Sequence, residues 1–123
     1  MAAAVAISIA GMAIHTVREF GTDGLFQPAS GFLPIAAIQT GLLMWWLRSA
    51  ASRPTAAKWL FVTGVFQLIG GAIISVLPLP ILPFVPAQTM DHYVSHLIFG
   101  IAQIPLLWVA WRGLAAAPSP RYP

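Results

Sequence analysis

The chain has 123 residues, of which 59% are hydrophobic and only 7% charged, with a mean hydropathy of +0.83. Ordinary soluble domains carry about 25% charged residues, so this chain has too few polar groups to cover a water-facing surface, and its sequence is that of an all-α integral membrane protein. The absence of cysteine excludes disulfides, thiolate metal sites and thiol redox chemistry. A net charge of +3 and a pI near 10.2 then bear on membrane topology, and no nucleic-acid partner is expected.

Residues 2–20 form the first apolar run, just long enough to span a bilayer. No basic region precedes it, as a cleaved signal peptide would require, so it is read as a retained transmembrane helix ending at Gly21. Residues 21–31, with three glycines and Pro28, are a turn-rich connection. A second helix is predicted over 32–49, with Pro34 in its first turn and Trp45, Trp46 and Arg48 at an interfacial end. The short basic segment around Arg53-Pro54 leads to a third helix over 55–77, in which Gly64, Gly70 and Gly71 allow close approach of a neighbour.

Residues 77–88 hold four prolines and no charge, which forbids a helix; the segment is expected to lie in the interface or fold back over the protein. The fourth helix is predicted over 89–114, with Thr89 as a candidate N-cap, Pro105 as a candidate kink, and Trp108, Trp111 and Arg112 at its exit. Residues 115–123 read as a water-facing tail. The expected architecture is therefore a single membrane domain, a four-transmembrane-helix antiparallel bundle. Arg48, Arg53, Lys58, Arg112 and Arg121 fall on one side of it and Arg18 alone on the other, which puts both termini in the cytoplasm of, by expectation, a bacterial inner membrane.

The chemistry concentrates at the opposite, outer side. His92 and His96 are spaced i, i+4 on the fourth helix, and His15 and Glu19 have the same spacing on the first, so each pair shares one helix face. At 1.5 Å per residue, His15 and His96 both lie on the order of 10 Å below the outer surface. An i, i+4 histidine pair facing a His–carboxylate pair has the composition of a four-ligand site for zinc, copper, iron or manganese: His15, Glu19, His92 and His96. Asp91 and Asp23 are candidate acceptors for the outer imidazole N–H groups. The competing reading makes the same residues interfacial and paired, with Arg18 on Glu19 and Asp91 as a helix N-terminal acid. Haem b, held by His15 and one histidine of the fourth helix, is the rival cofactor; it leaves the other histidine unused.

Gln39, Gln67 and Gln103 place one amide in each of the last three helices, either to line a pocket or to join helices by hydrogen bonds. Functionally, the sequence points to a metal site acting on a membrane-soluble substrate, with the Pro-rich loop as its cover. The alternatives are an accessory subunit of a larger respiratory, photosynthetic or transport complex, or of a homo-oligomer, packed through the Gly70–Gly71 face, and a quinone-, carotenoid- or lipid-binding anchor. Phosphate-loop, Ser–His–Asp and mid-membrane carboxylate chemistry have no matching residues.

Overall fold

The computed structural model describes residues 1–82 and 84–116. The predicted tail, including Arg121, lies largely outside the described residues. Those residues are all-helical: α1 (Ala2–Phe20), α2 (Phe32–Arg48), α3 (Arg53–Phe66) and α4 (Met90–Ala115), with no strand among them. α3 continues through a π-helical segment, Gln67–Ile73, and a short 3-10 turn, Ile74–Val76. Three helical stretches, Ala2–Phe20, Arg53–Val76 and Met90–Ala115, are long and apolar enough to cross a membrane; α2 is the shortest of the long helices apart from α3 proper, at 17 residues.

Local chemistry sets the helix ends. Gly21 takes φ 72° after α1, a backbone conformation that costs glycine nothing, and its N–H closes on Val17 O. α3 begins at Arg53, two residues earlier than expected, because Pro54 is tolerated in a first turn where no N–H is needed. Thr89 caps α4, its Oγ1 accepting the His92 N–H at 3.3 Å. α4 runs on through Pro105, whose missing N–H leaves Ile101 O without its helical donor.

α1 packs along α4, the C-terminal half of one against the N-terminal half of the other. α3 flanks α4, and α2 completes the packing against α3 and α1. Gly11 permits the α1–α4 contact: a Cβ there would lie 2.1 Å from Ala102 Cβ. Two apolar clusters result, one of Val5, Leu60, Leu106 and Ala110, the other of Met12, Ala72 and Phe99. The outward faces remain apolar, with Ile14, Ile38, Leu97, Ile101 and Ile104 all exposed. Polar side chains are turned inward instead, an arrangement suited to a lipid surround.

A polar layer separates the clusters. Ser8 donates to Gln103 Oε1 at 2.6 Å, Gln39 Nε2 donates to Ser8 Oγ at 2.9 Å, and Gln103 Nε2 donates to Phe99 O at 3.3 Å. All three side chains are fully buried. Ser8→Ala should leave an amide donor and an amide acceptor unpaired, lowering stability in detergent by about 1–3 kcal/mol. A change in the unfolding midpoint equivalent to less than about 0.5 kcal/mol would mean that the layer does not hold the helices together.

Gly64 of α3 and Gly71 of the π-helical segment face into the chain. A Cβ on Gly71 would meet Phe99 Cε1 at 2.7 Å, and one on Gly64 would meet Leu107 Cδ2 at 3.0 Å. Of the expected Gly70–Gly71 face, Gly71 is covered by α4 of the same chain, whereas a Cβ on Gly70 would meet only Phe66 Cε2, at 3.9 Å.

Candidate metal centre

α1 and α4 carry their i, i+4 pairs on facing sides, so the four residues expected to act together meet. One nitrogen each from His15 and His96 and one carboxylate oxygen of Glu19 all lie within 4.8 Å of one another. The His15 and His96 ring centroids are 4.2 Å apart and those of His92 and His96 4.4 Å apart, both pairs edge-to-face. His92 Nδ1 donates to Glu19 Oε2 at 2.8 Å, with both side chains largely buried.

Each imidazole is oriented through Nδ1. His96 Nδ1 donates to Gly71 O at 2.8 Å, and a carbonyl can only accept, which fixes the proton on Nδ1 and leaves Nε2 with a lone pair. The Ser75 hydroxyl also bonds Gly71 O and lies 3.2 Å from the same nitrogen. Ser95, fully buried, sets its Oγ 3.3 Å from His15 Nδ1. Orientation of Nδ1 by a carbonyl, a hydroxyl or a carboxylate is how proteins present Nε2 to a metal. His92 Nε2 is buried without a hydrogen-bond partner.

The predicted acceptor roles of Asp91 and Asp23 are not realised. Asp91 pairs with Arg18, and Asp23 stands exposed in the 3-10 turn Thr22–Phe26. The reason is geometric: Asp91 immediately precedes His92, so it points away from the face that carries the histidines. The same rule corrects the expected Arg18–Glu19 pair, since adjacent helical residues diverge; Glu19 faces α4 instead.

A cavity of about 530 Å³ opens beside this cluster. His15, Glu19, His92 and His96 form its polar wall, and Met12, Ile35, Phe66 and Phe99 contribute apolar walls from every long helix. Phe84–Ala87, from the Pro-rich segment, close another side. The three glutamines separate here: Gln39 and Gln103 belong to the polar layer, whereas Gln67 lines the cavity. Sequence reasoning did not identify Ser75, Ser95 or the Gly71 carbonyl. Ser95, directly preceding His96 and one turn after His92, was within reach of the spacing argument; the other two depend on the π-helical turn.

Comparison of the chain with protein families, with curated proteins and with solved structures found no match.

Proposed function

We propose that this protein is a four-span membrane protein that binds one transition-metal ion through His15, Glu19 and His96 and acts on a membrane-soluble substrate in the adjoining cavity. The observation that carries the reading is the common orientation of the imidazoles, each engaged at Nδ1 by a protein group. Two histidines and one carboxylate leave coordination positions open, the arrangement of catalytic zinc sites and of non-haem iron sites, whereas closed structural sites use four protein ligands. Donor atoms up to 4.8 Å apart are wider than the roughly 3.3 Å edge of a tetrahedron with 2.0–2.1 Å bonds. An ion would be held only after the three side chains converge on it. His92 Nδ1 bonds Glu19 Oε2 and so positions Glu19. The ion would serve as a Lewis acid or an oxygen-activating centre.

Edge-to-face packing of His15 on His96 leaves no plane between them for a macrocycle, which weighs against haem. α2, at 17 residues, is at the short end of what spans a bilayer. Its Trp45, the Trp59 of α3 and Trp108 and Trp111 of α4 are exposed at one end of the bundle, as an interfacial belt requires. Arg53 lies 4.8 Å over the Trp46 ring at that end, and Arg48, Lys58 and Arg112 make it basic, while Arg18 at the other end is matched by Asp91. This charge bias supports cytoplasmic termini and a metal site on the outer side of a bacterial inner membrane.

The test is titration of the purified, chelator-treated protein with cobalt(II), followed by zinc competition. One equivalent per chain, with ligand-field bands that zinc abolishes, is the expected result. A protein that stays colourless and retains no metal overturns the reading.

A further inference from the structure

The chain's three acidic residues all stand at the histidine end of the bundle: Glu19 at the close of α1, Asp23 in the turn after it and Asp91 at the start of α4. Arg48, Arg53, Lys58 and Arg112 stand at the opposite end, a helix length away from any of these carboxylates. Two of the four cations have aromatic partners. Arg53 lies 4.8 Å over the Trp46 ring and Arg112 6.0 Å over that of Trp108. Arg48 has neither a carboxylate nor a ring beside it among the described residues.

Arg48 closes a groove of about 560 Å³ along α2, whose other lining residues are Gly41, Met44, Trp45 and Leu47. Residues 41, 44, 45 and 48 follow the i, i+3, i+4, i+7 spacing and so share one face of the helix. Gly41 is the hollow in that face, with no atom within 4 Å of where its Cβ would stand. From Gly41 to Arg48 the stripe runs about 10 Å along the axis, from the apolar middle of α2 to its charged end. All five lining residues are exposed. A ligand for this face needs an apolar chain for the stripe and an anion for the guanidinium. Phosphate suits the planar fork of arginine, which it can meet with two oxygens. The surrounding cations favour a headgroup of net negative charge over a zwitterionic one.

We infer that this face of α2 binds a phospholipid with an anionic headgroup, its phosphate on Arg48 and one acyl chain along the groove over Gly41. The inference rests on α2 lying in the bilayer, as proposed above, and uses no residue of the metal centre.

The full chain is released from micelles that contain phosphatidylglycerol and phosphatidylcholine of the same acyl chains in equal amounts, and the lipid it retains is read by native mass spectrometry. Wild-type protein is expected to retain one phosphatidylglycerol, preferred over phosphatidylcholine by at least about five-fold. Arg48→Gln should lose most of that preference. Arg112→Gln removes the same charge from the same end of the chain but outside the groove, and should keep it. Gly41→Leu fills the hollow where a side chain meets nothing, and should cut retention of phosphatidylglycerol by about five-fold or more with helical content unchanged. Equal retention of the two lipids by the wild type overturns the inference. So does an equal loss in Arg48→Gln and Arg112→Gln, which would make the preference a property of the whole basic end. Undiminished retention in Gly41→Leu also overturns it, as does a lipid-free dimer that this substitution breaks, which would make a second copy of the chain the occupant. Cobalt binding, read on the same preparations, bears on the metal centre alone.

Discussion

Replacing His96 by asparagine is expected to abolish metal binding, with affinity falling more than about 100-fold, beyond the range that loss of an orienting group produces. Asparagine retains an N–H near the position of Nδ1 and so keeps the bond to Gly71 O that orients the residue, while the lone pair at Nε2 is gone. The site is thereby emptied with less loss of volume than alanine would cause at a residue that is only 6% exposed. His15→Ala should have the same effect. His92→Ala should be milder, about 10–100-fold, because its loss frees Glu19 to rotate but removes no ligand. The cobalt titration reads all three, with helical content as the control for folding. Equal losses at His92 and His96 would make His92 a fourth ligand; unchanged affinity in His96→Asn would sink the site altogether.

That ranking depends on features of very different visibility in the sequence. The two i, i+4 pairs and their matching depth were legible, because helical period and span length convert residue number directly into face and height. The ends of α1 and α4 were legible from Gly21 and Thr89, whose local chemistry stops and starts a helix whatever surrounds it. What orients His96 was not. Gly71 and Ser75 reach it from the end of α3, where the π-helical segment adds a residue to the turn and rotates all that follows. No periodicity rule anticipates that change. The division of the glutamines was hidden for a related reason: each sits on an apolar helix whose rotation is set by packing, so nothing local distinguished Gln67, beside the cavity, from Gln39 and Gln103 in the buried layer.

Packing between α1 and α4 is accordingly as important to the centre as its ligands, and Gly11 is where this can be measured. Gly11→Ala would put a methyl carbon 2.1 Å from Ala102 Cβ and 3.7 Å from its Cα. An alanine Cβ has no rotamer by which to escape, so the helices must part. Overpacking of this kind costs about 1–3 kcal/mol. Gly11 lies one turn before His15, and Ala102 nearly two turns after His96, so the displacement reaches the ligands and should weaken cobalt binding with no ligand touched. Exchanging the two residues, Gly11→Ala with Ala102→Gly, moves the methyl group from one helix to the other and should restore both the unfolding midpoint and the affinity. Gly41→Ala is the control: nothing lies within 4 Å of its Cβ position, so the substitution should be neutral or stabilise α2 by up to about 1 kcal/mol. If Gly11→Ala behaves like Gly41→Ala, the close approach of α1 and α4 is not what holds the site together. If the exchange restores stability but not cobalt affinity, that approach supports the fold without setting the ligand spacing.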